Sequence, residues 1–272
     1  VRVSGGRPPV RGWAWAGLLA QVVFVVAWLV AAAWQPAGYS ALRHSISDVY
    51  AVTAPHGWVL VVVLTLCGAA TIGFAWLSLR PALRSAGRRA TVGVLLLTLS
   101  IFGLGDLLSP LERLACQQAD PACSPADQLS NLGGTLDGLL STVGILFFAV
   151  AGFVLASAMS RLPGWARCAR WTRVVTLVFV AAFLATGFLG DVLGLGGLFE
   201  RLVALAGATG IGLVARRLLM GRPRSLGRRP TGTSRPPLIG FDGVVPGQVL
   251  GSVQPSSSTC RRYRPGADKK LR

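Results

Sequence analysis

Residues 57–89 read GWVLVVVLTLCGAATIGFAWLSLRPALRSAGRR: 23 residues without a charge, followed by four arginines within ten. A hydrocarbon core of roughly 30 Å is crossed by about 20 helical residues, each rising about 1.5 Å. The run 57–79 is therefore long enough to span a bilayer, and the arginines that end it mark its exit into water. Helix is the form it must take, because lipid offers no partner to an unpaired backbone amide.

Five further runs share this character, at 13–34, 90–108, 134–158, 172–192 and 199–219. Charges fall only in their terminal turns, and the last run holds Glu200 and Arg201 in its first turn. The fold class expected is an all-α integral membrane bundle of six transmembrane helices. It occupies 13–219, between a cytoplasmic segment 1–12 and a basic cytoplasmic tail 220–272 rich in Pro, Gly and Ser. That tail has too few large apolar residues to build a core and is expected to be disordered. Run 13–34 follows a basic stretch and ends in Ala31-Ala32-Ala33, which suggests a signal peptide. Its apolar part exceeds the roughly 7–15 residues of such a segment, so it is read as a retained helix.

Composition agrees: 52% of residues are hydrophobic and 14% charged, and the mean hydropathy is +0.58. A net charge of +17 in a soluble chain would suggest nucleic acid as partner. Here the arginines sit between apolar runs, as membrane proteins arrange them, and no nucleic-acid partner is expected. Arg2, Arg7 and Arg11 precede the first run. Arg80, Arg84, Arg88 and Arg89 follow the second, and Arg161, Arg167, Arg170 and Arg173 lie around the fourth connection. Arg216, Arg217, Arg222 and Arg224 mark the exit of the sixth. The alternate connections hold only Arg43 and Arg113. Both termini are thereby placed inside, in a multi-pass protein of the plasma membrane. Trp13, Trp15, Trp34, Trp58, Trp76, Trp165 and Trp171 lie near run ends as interfacial anchors. The basic loops and tail could rest on anionic lipid headgroups, worth about 1 kcal/mol per cation.

With this orientation, eight of the ten carboxylates fall on the outer side: Asp48, Asp106, Glu112, Asp120, Asp127, Asp137, Asp191 and Glu200. Both histidines, His44 and His56, are there too. Acids within spans are costly and usually face the bundle or a wet cavity. His44, Ser47, Asp48, Asp106, Asp137, Asp191 and Glu200 are the candidate ligand-binding residues of an outward polar pocket. Such a pocket could hold a cation, a small molecule or a lipid headgroup. The competing reading pairs Asp106 with Arg113 and Asp191 with Arg201, or lets these acids reach water.

In the first outer connection, Leu42, Ile46, Val49 and Tyr50 have helical spacing, which predicts a short interfacial helix with Ser40 at its start. His44 and Asp48 stand there at i and i+4. That spacing could supply two metal ligands, with His56 a third, but a local His–Asp hydrogen bond accounts for it more simply. No resident metal or cofactor is expected. Cys116 and Cys123 bracket a short outer loop and are candidates for a disulfide that stiffens it. Gly105-Asp106-Leu107-Leu108 with Leu111-Glu112-Arg113-Leu114 is echoed by Gly190-Asp191-Val192-Leu193 with Phe199-Glu200-Arg201-Leu202. The echo reads either as a parallel internal repeat or as chance in a Gly- and Leu-rich chain. No nucleotide-binding, metalloprotease or nucleophile-elbow motif is present.

Tyr39-Ser40-x-Leu42-Arg43-His44-Ser45-Ile46-Ser47-Asp48, then Ala54-Pro55-x-Gly57-Trp58 and Cys67-Gly68, resembles the start of the membrane proteins called domain of unknown function 998. The stretch Gly105 to Pro110, the cysteine loop and Gly196 to Leu202 are similar to its actinobacterial branch. The resemblance covers about residues 13–219 and implies six spans. It lends no catalytic residue. Many members place a histidine at the outer start of the fourth helix, where this chain has Thr135-Leu136-Asp137. Three functions stay open: a binding protein, an enzyme acting on a lipid or envelope precursor through His44, Asp48 and Asp106, and a scaffold for another membrane protein.

Overall fold

The computed structural model of the chain describes residues 10–220, apart from the side chain of residue 191. Most of the N-terminal segment and all of the tail from 221 onward lie outside the described residues, so the expectation of a disordered tail does too.

Helices are the dominant structure of the described chain, with no strand among its residues. We number the spans α1 (Val10–Trp34), α2 (Gly57–Ala86), α3 (Arg88–Leu99 continued by Ile101–Leu108), α4 (Leu132–Ser160), α5 (Ala166–Leu193) and α6 (Gly196–Met220). Five are long and apolar enough to cross a membrane alone, and α3 makes the sixth if its two bent halves count as one span. Each helix packs on its neighbours in sequence and α6 returns to α1, closing a ring. Short connections between antiparallel helices favour that order.

The span expected over 90–108 forms with a bend. Ser100 takes extended backbone angles, its Oγ donates to the Leu97 carbonyl at 2.8 Å, and the halves meet at 45°. A wide helical turn follows over Ile101–Gly105. A Cβ on Gly103 would press on the Leu97 carbonyl at 2.8 Å, and one on Gly68 of α2 would stand 2.7 Å from the Gly103 carbonyl. Glycine at both places lets the bent half of α3 lie directly against α2.

Mid-bundle, Phe24, Phe102, Phe148 and Phe179 of α1, α3, α4 and α5 meet in tilted and edge-on pairs. Their centroids are 5.6 Å (24–102), 4.8 Å (102–148) and 4.7 Å (148–179) apart. Below them, towards the arginine-rich end, Arg89 donates to Ser157 Oγ and Arg217 to the Gly164 carbonyl, both at 3.0 Å. Arg80 and Arg217 stack over Trp76 and Trp165. The opposite end is covered by the α1–α2 and α3–α4 connections.

The interfacial helix expected over 39–50 does not form as one piece. Turns through 40–44 lead into a short 3-10 helix, Ser47–Tyr50. The Ile46 amide donates to Glu200 Oε1 and the Asp48 amide to Ser45 Oγ, each at 3.0 Å. Those two donors are therefore withheld from a continuous helical ladder.

Candidate functional site

Beneath the α1–α2 connection lies a cavity of about 340 Å³, to which all six helices contribute. Three of the carboxylates expected to act together, Asp106, Asp137 and Glu200, line it with Ser47. Each comes from a different helix. Asp106 begins the last turn of α3, Asp137 sits in the second turn of α4, and Glu200 in the second turn of α6. The floor and sides are apolar, with Phe24, Phe102 and Phe183 the largest contributors.

The α1–α2 connection ties itself to two of these acids. Asp137 Oδ1 accepts from Ser47 Oγ at 3.0 Å and from the Tyr50 hydroxyl at 3.2 Å, and Glu200 Oε1 holds the Ile46 amide. Burial, reinforced by Asp137, drives the Tyr50 hydroxyl well above its ordinary pKa, which keeps it a proton donor. Asp106 differs from the other two. It is 9% exposed, lines the cavity, and its side chain makes no hydrogen bond among the described residues.

Among the described residues, no arginine, lysine or histidine lines this cavity. The expected alternative, that Asp106 pairs with Arg113, fails because Arg113 donates to the Tyr50 and Ala51 carbonyls, both at 2.9 Å. Arg201 donates to the His44 and Gly197 carbonyls at 2.8 Å and to the Tyr39 hydroxyl, and lies over the Trp28 ring. The two Glu-Arg pairs of the possible repeat thus share one job although one lies in a loop and the other in a helix: each arginine grips carbonyls of the α1–α2 connection. Asp191, the other candidate of that repeat, has its side chain outside the described residues.

His44 and Asp48 stand elsewhere. Their closest atoms, Nδ1 and Oδ2, are 3.9 Å apart, and Nδ1 accepts from the Ser40 amide instead, so the expected His–Asp hydrogen bond is not made. Asp48 is fully buried and fastens the two connections together. Its Oδ1 accepts from the Gln118 amide and from Gln128 Nε2 at 3.1 Å. Burial raises its pKa against the pull of the Gln118 bond. The same cover holds the disulfide between Cys116 and Cys123, with Cα atoms 6.0 Å apart. Val52 donates to the Leu114 carbonyl at 2.9 Å. Glu112 is 2% exposed with Oε1 unpartnered, and burial, with Asp137 adding, pushes its carboxyl up to about 8.

Among the described residues no three His, Cys, Asp or Glu side chains group closely enough to hold a metal ion. His56 faces the Trp34 ring, centroids 6.3 Å apart. Asp106 lines the cavity whereas His44 and Asp48 do not, so the three residues expected to serve an enzyme are not brought together.

Sequence reasoning missed Tyr50, Ser141 and Thr186, which also line the cavity. Asp137 and Ser141 are four apart on α4, the spacing that puts two polar groups on one helix face. Tyr50 gave no such signal, since it reads as one more apolar residue of its segment.

A family model described as protein of unknown function (DUF998) matches residues 12–217. No curated protein and no solved structure matches the chain.

Proposed function

The chain belongs to the DUF998 family of proteins of unknown function, and from its chamber we propose that it binds a small amine-bearing cation at the outer face of the plasma membrane. The observation that carries this is the trio Asp106, Asp137 and Glu200 around one cavity with no basic side chain among the described residues of its lining. Carboxylates in an apolar surround are costly without a positive partner. An ammonium group would supply both the charge and the N–H donors that Asp106 lacks.

Sidedness follows from arginine content. The end bearing Arg80, Arg84, Arg88, Arg89, Arg161, Arg167 and Arg217 faces the cytoplasm, where those side chains lie against anionic headgroups. The chamber is then on the outside.

Binding of alkylammonium probes to protein in lipid nanodiscs tests the reading. Asp137→Asn and Asp106→Asn should each weaken binding about tenfold to a hundredfold, as expected when a hydrogen bond to a charged group is lost. Equal affinity in wild type and both variants would remove the proposal.

A further inference from the structure

The seam between α4 and α5 changes character along its length. In its lower half the helices touch: the Phe148 and Phe179 rings are 4.7 Å apart, and a Cβ on Gly152 would stand 2.9 Å from Thr176 Cγ2. In its upper half, Thr142 of α4 and Thr186 of α5 both line the chamber, and Thr142 and Gly138 are exposed. A Cβ on Gly138, or on Gly187 across the seam, would meet no atom within 4 Å. The chamber wall is therefore open where these helices part. The rim of that opening is apolar, with Leu139, Leu146, Leu184 and Phe188 all exposed. Thr142 lies ten residues into α4, about 15 Å along the axis, which places the opening within one leaflet of a roughly 30 Å core.

The two seams flanking this one, α3–α4 and α5–α6, are closed. A Cβ on Gly144 would stand 2.7 Å from the Ile101 amide nitrogen, sealing α3 to α4, and one on Gly190 would stand 3.1 Å from Gly196 Cα where α5 meets α6. Above, Ser47, Tyr50 and Ile46 bind the α1–α2 connection to Asp137 and Glu200.

We infer that the ligand enters sideways from the outer leaflet between α4 and α5, and that it is an amphiphile with an ammonium headgroup, an aliphatic chain and no phosphate. This rests on the reading that the chamber binds an amine. The chemistry follows from the lining. Three carboxyl groups and several hydroxyls accept hydrogen bonds from an ammonium, while a phosphate would meet acids and no cation. A cavity of about 340 Å³ is near the lower limit for ligand pockets. It takes the headgroup and the first part of a chain, leaving the remainder to run through the gap into lipid.

Binding of butyl-, octyl- and dodecylammonium to wild type, Asp137→Asn, Gly138→Trp and Thr142→Trp in nanodiscs tests this. The Asp137-dependent affinity, referred to aqueous concentration, should rise about tenfold for every two methylenes, as burial of each from water predicts. A tryptophan at 138 or 142 should slow association of the dodecyl probe about tenfold or more while leaving the fold intact, since both positions face open space. Loss of binding in Asp137→Asn, with no dependence on chain length and with wild-type rates in the tryptophan variants, would keep the amine site and overturn the lateral route. Should either tryptophan variant fail to fold, the chain-length series on wild type decides alone. Amine binding that is absent from wild type, or unaltered by Asp137→Asn, would overturn the site and this inference together.

Discussion

The Tyr50 hydroxyl stands 3.2 Å from Asp137 Oδ1, joining the connection after α1 to the second turn of α4, 87 residues away. Ser47 Oγ reaches the same oxygen at 3.0 Å and lies 3.4 Å from the Tyr50 hydroxyl, so the three groups form one small network. Networks of this kind couple their members, and the variants below are chosen to break them one at a time.

Tyr50→Phe removes one donor and leaves Asp137 with Ser47 alone. Thermal unfolding in detergent should show a loss of about 0.5–1.5 kcal/mol, the net worth of one such bond. Tyr50→Phe combined with Ser47→Ala should depart from additivity by at least about 0.5 kcal/mol. Strict additivity would mean that the two donors act independently.

Asp48→Ala removes the buried acceptor that the Gln118 amide and the Gln128 side chain share and should cost about 1–3 kcal/mol. Because Asp48 does not line the chamber, amine affinity should stay near wild type. Hydrogen exchange across 109–131 should rise. A fall in affinity comparable to that of Asp137→Asn would place Asp48 at the site after all.

Burial lifts the Glu112 carboxyl to about 8 in the folded chain, against its ordinary 4.5. Between those limits the folded state binds the extra proton, so stability is greatest below about 4.5 and declines as pH rises towards 8. Glu112→Gln cannot lose a proton and should flatten that decline. Melting curves of both proteins at pH 5 and 8.5 compare directly, and parallel curves would refute the assignment.

A fluorescent reporter fused after Leu219 should light up in the cytoplasm. After mild reduction, Cys116 and Cys123 should react with a membrane-impermeant maleimide from outside intact cells. Labelling of these two only after lysis would invert the bundle and move the chamber to the inner face.

The spans were legible because hydropathy is a property of each segment by itself: the run 57–79 needs no knowledge of its neighbours to be read as crossing a membrane. Asp106, Asp137 and Glu200 could be assigned to one end of the bundle for the same reason. What the chain does not spell out locally was less accessible. Ser100 breaks α3 without a proline, and serine occurs inside many unbroken membrane helices. The segment 39–50 has helical spacing, yet a distant Glu200 captures the Ile46 amide. Asp48 and Asp137 look alike as isolated acids, and only the path of the α3–α4 connection, which presents the Gln118 amide to Asp48, sends one into the cover and leaves the other in the cavity. Tyr50 joined the site through its hydroxyl while its ring satisfied the apolar pattern that concealed it.

The four phenylalanines packed across mid-bundle turn the chamber into a cul-de-sac. As long as those rings stay in contact, a ligand entering between α4 and α5, as inferred above, would have to retreat by the door it used. Occupancy then follows abundance on one side of the bilayer alone, as in a gauge rather than a conduit.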